Sequence, residues 1–251
     1  MVCGPSPVPL PVRGGPSGAI SVSFAENLAA VRSRIASACA RAGRDPATVG
    51  IVAVSKTQPA EVVIEAVAAG VDAIGENRVQ EAAVKRPLVG GATPWHLIGP
   101  LQRNKAKLAL DLLDLIETVD RPELADRLEA LGAPSQRVLP VFIEVNIGVE
   151  DQKSGVLPVA SPALVERILG QCPHLRLCGV MTVPPYDPDP RRSRPYFEAL
   201  RRLARDLERR FGLSPLQLSM GMSEDFEAAV EEGATLVRLG RVLFGERRIA
   251  P

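Results

Sequence analysis

The sequence predicts one α/β domain, a closed (β/α)8 TIM barrel with an extra N-terminal helix, and three observations lead there. Eight short β-branched runs recur along 251 residues, with amphipathic stretches between nearly all of them. Apolar residues make up 46% of the chain but aromatics only 4%, so the core rests on Val, Leu, Ile and Ala, the composition of a buried parallel sheet. The length suits a single-domain barrel with one large core. An open doubly wound sheet is the alternative arrangement of the same pattern.

The chain opens with prolines at positions 5, 7, 9, 11 and 16, which interrupt any apolar segment, and no basic start precedes them. Residues 1–20 are therefore expected to form a disordered tail, with a cleaved targeting segment or a mis-assigned start as alternatives, and 21–251 a single domain. From Val22 to Ala42 the apolar positions Leu28, Val31, Ile35, Ala38 and Ala42 recur at helical spacing, and Gly43 closes the run. The first strand is IVAVSK (51–56), followed by a helix from Ala60 to Ala69 stopped by Gly70. AIGEN (73–77), WHLIG (95–99) and LIETV (115–119) continue the series. In the next run, VLPVFIEVNI (138–147), Pro140 argues that the strand starts near Val141. After LRLCGVMTV (175–183) comes PPYDPDPRRSRP (184–195), whose composition suits no core and reads as a mobile loop over one barrel face. A helix follows with Phe197, Leu200, Leu203, Ala204, Leu207 and Phe211 on one face, then the last strands, LQLSM (216–220) and TLVRLG (235–240).

Thirty basic and 29 acidic side chains leave a net charge of +1, which gives no field to draw in nucleic acid or an anionic membrane. The arginines at 191, 192, 194, 201, 202, 205, 209 and 210 are interleaved with Asp206 and Glu208 and lack an aromatic platform, so they read as a solvated face. No apolar run approaches the roughly 20 residues needed to span a bilayer. Cys3, Cys39, Cys172 and Cys178 show no C-x-x-C spacing and, with only His96 and His174 beside them, make a poor metal set. Reduced thiols in the cytoplasm are expected.

Barrels of this kind collect function where their strands end, so the polar residues at strand ends are the candidates. Lys56 closes an apolar strand, where an ammonium is costly unless paired or neutralised, and a neutral amine is a nucleophile toward aldehydes. A lysine extending to solvent beside Gln58 and Pro59 fits the spacing equally well. The segment Ser219–Asp225 joins a strand to a helix, where N–H groups and hydroxyls can receive a phosphate and Gly221 permits close backbone approach. Ser223 alternatively caps a helix beginning at Glu224, and the two acids weaken a dipole argument. Arg238 ends the last strand before Gly240 and Arg241, at the usual phosphate site of the architecture, unless it is an ordinary ion-pair partner. His96 reads either as a satisfied core histidine or as a ligand. Gln102–Lys105 reads as a solvated helix start.

These residues fall into motifs: VSKT (54–57), GENRVQE (75–81), WHLIGPLQRNK (95–105), VNI (145–147), KSG (153–155), GVMT (179–182), LSMGMSEDFEAAVEEGAT (218–235) and VRLG with FGER (237–247). From about Val22 to Arg248 the chain resembles the pyridoxal 5'-phosphate (PLP) homeostasis proteins, the YggS/PROSC-like group. The resemblance implies a barrel similar to the N-terminal domain of alanine racemase, with PLP held as a Schiff base on Lys56. It implies phosphate contacts from Ser223 and the backbone around Gly240 and Arg241, and Arg238 facing the pyridine nitrogen. Asn77, His96, Asn104, Asn146, Met181 and Ser219 would line or buttress the pocket. Two positions depart from the commonest pattern: Arg78 where many relatives carry tyrosine, and Arg241 where a hydroxyl is common, which leaves only its backbone contact carried over.

An arginine opposite the pyridine nitrogen disfavours ring protonation and weakens the electron sink. Racemisation wants a second acid/base group, supplied in the racemase by a tyrosine from an extra domain and partner subunit; here no second domain is expected, and Tyr186 and Tyr196 lie in or beside the loop. The expected function is thus PLP (vitamin B6) homeostasis without catalytic turnover, with PLP-dependent apoenzymes as recipients, no nucleic-acid or membrane partner, and a monomeric state. The alternatives are a PLP-dependent amino-acid racemase and a Schiff-base aldolase acting on a phosphorylated sugar.

Overall fold

The computed structural model describes residues 23–245. The expected tail at 1–20 and the end of the FGER motif lie outside them. Helix α1 (Phe24–Arg41) begins at a capping box in which Ser23 Oγ accepts from the Glu26 N–H and the Glu26 carboxylate accepts from the Ser23 N–H. Gly43, at φ +64°, ends it.

Eight parallel strands then close into a barrel in sequence order: β1 (Gly50–Val54), β2 (Ala73–Glu76), β3 (Trp95–Leu97), β4 (Leu115–Val119), β5 (Leu139–Glu144), β6 (Leu175–Met181), β7 (Gln217–Ser219) and β8 (Leu236–Leu239). Pairing of Ile51 with Val237 and Ala53 with Leu239 joins β8 to β1 and leaves no free edge. The connecting helices are α2 (Ala60–Ala68), α3 (Val79–Val89), α4 (Ala106–Leu112), α5 (Pro122–Gly132), α6 (Ser161–Gln171), α7 (Arg194–Phe211) and α8 (Phe226–Glu231), and a single turn, α9 (Arg241–Phe244), follows β8. The predicted fold class holds.

Side-chain alternation along the strands makes two apolar layers. Ile51, Ala53, Ile74, Ile116, Val141, Ile143, Val180 and Val237 join the helices in one large outer core. Leu115, Phe142 and Met181 pack with Leu236 and Cys178 as a separate cluster inside the barrel. Among the described residues no helix is long and apolar enough to cross a membrane.

Three expectations need correction. Strand β5 starts at Leu139 and runs through Pro140. The Leu139 N–H donates toward β6, to His174 O (2.9 Å), so the missing donor of Pro140 falls on the β4 side, where pairing begins only at Ile116 with Val141. The 184–195 segment is not loop throughout: Pro190–Ser193 forms a 3₁₀ turn capped by Asp189, residues 194 and 195 belong to α7, and Ser193 is buried. Helix α8 begins at Phe226 rather than Glu224, because the Asp225 carboxylate folds back to accept the Met222 N–H (2.6 Å).

Candidate functional site

The C-terminal strand ends surround a cavity of about 900 Å³. Of the ten sequence-predicted site residues, Lys56, Asn77, Ser223, Arg238, Gly240 and Arg241 line it, while His96, Asn146, Met181 and Ser219 do not. Lys56 is half-buried, two residues beyond the end of β1, in a turn closed by the Gln58 N–H donating to Ser55 O (3.0 Å). The pocket therefore receives a primary amine from a short, fixed segment of backbone.

Opposite chemistry gathers after β7 and β8. Ser223 caps no helix; its Oγ accepts from the Val242 N–H (3.4 Å) in the first turn of α9, putting a hydroxyl beside the amides that follow Gly240. These are the donors a phosphate needs. The Arg241 guanidinium is ion-paired with Glu224, so that side chain is already committed to a carboxylate.

Arg238 is 4% exposed and anchored across the barrel. Its Nη1 donates to Ser219 Oγ (2.7 Å) and its Nη2 to Thr182 O (2.7 Å). Ser219 Oγ in turn donates to Glu117 Oε2 (2.5 Å), and the other oxygen of Glu117 hydrogen-bonds His96 Nδ1 (2.8 Å). Thus His96, Ser219 and Arg238 act as one chain from β3 to β8 beneath the cavity, and His96 is a bonded core histidine. Burial pulls the Arg238 guanidinium below its ordinary range, against the opposing pull of Glu117, Glu144 and Asp225. Met181 sits in the interior cluster below. Asn146 clamps the β5 loop, its side chain donating to Glu150 O (2.8 Å) and accepting the Glu150 N–H (3.1 Å). Asn104 is exposed in a 3₁₀ turn and does not line the cavity, in keeping with the solvated helix start read at Gln102–Lys105.

Glu117, Glu144 and Asp225 were not among the predicted residues. All three are buried, and burial raises the carboxyls of Glu144, to about 7, and of Asp225. Lys153, Pro184, Pro185 and Tyr186 form the outer wall, with Lys153 Nζ donating to Pro184 O (2.8 Å).

Residues 27–248 match the family model of the alanine racemase N-terminal domain. The pyridoxal phosphate homeostasis protein of Aquifex aeolicus is 44% identical over 224 residues, 89% of this chain and 98% of that protein. The chain belongs to the pyridoxal phosphate homeostasis protein family. Its homologue of the same name in Pseudomonas aeruginosa is 45% identical over 226 residues, covering 90% of this chain and 96% of the other. Among solved structures, PipY of Synechococcus elongatus with PLP bound superposes with a TM-score of 0.78 at 35% identity, covering 89% of this chain and all of PipY. Alanine racemase of Clostridium difficile shares the fold alone (TM-score 0.67, 17% identity), with this chain spanning 57% of the enzyme. In this homeostasis-family barrel the donor set suits PLP: an amine for an aldehyde, a hydroxyl and amides for a phosphate, and a guanidinium for a ring nitrogen.

Proposed function

We propose that this chain holds PLP through Lys56 and serves intracellular PLP homeostasis, keeping the cofactor available to PLP-dependent apoenzymes. The observation that carries the reading is one cavity lined by the Lys56 amine, by Ser223 beside the α9 amides, and by the anchored Arg238. PLP would supply an aldehyde to which a primary amine can join reversibly, a C=N bond replacing C=O with loss of water. Lys56 supplies that amine. Ser223 Oγ and the backbone N–H groups of Gly240 and Arg241 would hold the phosphate, and Asn77 lines the same cavity. Arg238, fixed by Ser219 and Thr182, would face the pyridine nitrogen with its positive charge and so disfavour a second one there. These groups bind and orient, which suits reversible storage.

Purified protein should be yellow, and borohydride should fix the cofactor to the peptide containing Lys56. Mass mapping of the reduced adduct tests this, with Lys56→Ala as control; an adduct absent from Lys56 in the wild type refutes the reading. A racemase reading draws on Tyr186, which lines the same cavity and could serve as a second acid/base group. Incorporation of deuterium at the α-carbon of amino acids, well above that with free PLP, would favour it; background exchange is expected.

A further inference from the structure

The backbone that presents Lys56 is strained. Residues 55–58 form a turn with Lys56 and Thr57 at its centre, and Thr57 lies at φ +65°, a region where a β-branched residue is disfavoured. Such a conformation persists only where its surroundings over-determine it.

The surroundings here are a buried charged group reaching both flanks of Lys56. On one side, Lys85 Nζ donates to Ser55 O (2.8 Å); on the other, Glu81 Oε2 accepts the Thr57 N–H (2.9 Å). Lys85 also pairs with Glu76 Oε1 (2.7 Å) and Glu81 Oε2 (3.1 Å), and Ser55 Oγ donates to the same oxygen of Glu76 (2.6 Å). Glu76 comes from the end of β2, whereas Glu81 and Lys85 stand one turn apart on α3. Three elements thus meet at the turn.

A buried ion pair is a poor way to gain stability, since apolar side chains of similar volume do as well or better. The cost is visible: the second oxygen of Glu76 is buried without a partner among the described residues, and burial raises its carboxyl above the usual range. What charge provides and an apolar contact does not is direction, a fixed donor for Ser55 O and a fixed acceptor for the Thr57 N–H.

We propose that Glu81 and Lys85, braced by Glu76, are positioning residues that hold the strained Lys56 turn and thereby set how readily the Lys56 amine joins PLP. The inference rests on Lys56 being the attachment point. A purely structural role, tying α3 to β2, would instead lower stability without separating covalent from total cofactor.

The test compares wild type, Glu81→Ala, Glu81→Gln and Lys85→Met, each stripped of cofactor and mixed with PLP. Three quantities are followed: the rate at which the visible band forms, the ratio of PLP fixed by borohydride on the Lys56 peptide to total PLP bound, and the melting temperature of the stripped protein. Glu81→Ala is expected to slow the band by about tenfold, the equivalent of about 1.4 kcal/mol, and to lower the fixed ratio while total PLP is kept. Glu81→Gln, which retains an oxygen acceptor for the Thr57 N–H, should recover most of the rate. Because the Glu81 side chain is 27% exposed, its variants carry the test even if Lys85→Met does not fold. Wild-type rate and ratio in Glu81→Ala would overturn the inference, as would loss of total PLP and melting temperature together with the ratio unchanged. Label missing from Lys56 in the wild type overturns the attachment reading itself, and the positioning role with it.

Discussion

Glu144 ends β5 in the barrel interior, 8% exposed, with one carboxylate oxygen fully buried and unpartnered among the described residues. Burial, then the charge of Asp120, push its carboxyl up to about 7 from 4.5, with Arg238 pulling the other way. The folded protein therefore keeps a proton that the unfolded chain releases, and stability falls as pH rises from about 4.5 to about 7. That shift corresponds to roughly 3 kcal/mol at most. Glu144→Gln, a neutral isostere, should stabilise the protein at pH 8 by up to that amount and change little at pH 4.5; urea unfolding at the two pH values measures it. Equal effects at both would mean that Glu144 does not titrate in this range. The sequence brings Lys56 and Arg238 forward as candidates because each is a charged residue at the C-terminal end of an apolar strand, and the family resemblance, not the spacing, gives each its role. Glu117 sits inside LIETV instead, and its partners His96 and Ser219 come from strands about 20 and 100 residues away, joined only when the barrel closes. The available signal was an acid in the middle of a strand expected to be buried on both faces.

The connection from β7 to α8 shows how an element fixes a binding loop. Gly221 stands at φ +92°, and a Cβ there would lie 2.6 Å from Ala229 Cβ and 3.0 Å from Phe226 Cα. Its carbonyl accepts the Arg238 N–H (3.0 Å), so one residue is wedged between α8 and β8. The close approach expected of this glycine is thus made to the protein's own helix. Gly221→Ala should cost about 1–3 kcal/mol in urea unfolding, from combined backbone strain and overpacking. It should also weaken PLP binding by shifting Ser223, seen as a raised Kd in a fluorescence titration. Stability unchanged by the substitution would show that the loop relaxes freely. Elements governed by local pattern were legible, and LIETV spans β4 to the residue. Misplaced boundaries have tertiary causes: the turn after β1 takes Ser55 and Lys56 out of the strand, Pro140 is tolerated by the stagger of its neighbours, and the Asp225 fold-back delays α8.

Across the whole molecule, the cavity draws on almost every side of the barrel: Val54 at the end of β1 and Lys56 after it, Asn77 after β2, Ile98 after β3, Lys153 beyond β5, Val183 after β6, Ser223 beyond β7, Arg238 from β8 and Gly240 after it. A ligand filling it ties together strands that hydrogen bonding already closes into a ring. Its binding energy should therefore appear as stability of the entire barrel, which unfolds as a unit, and not of one loop. At PLP concentrations about 100-fold above Kd the linkage gives roughly 2.7 kcal/mol, or on the order of 5–10 °C in melting temperature for a domain of this size. Lys56→Ala removes the covalent bond but leaves the phosphate donors at Ser223, Gly240 and Arg241, so a smaller upward shift is expected from the same titration. Inorganic phosphate, which engages only those donors, should give a shift in both proteins that is similar in size. Calorimetry across the three ligand conditions separates the contributions: a melting temperature indifferent to PLP would remove this cavity as the binding site, and equal PLP shifts in wild type and Lys56→Ala would leave the phosphate donors as its main anchor.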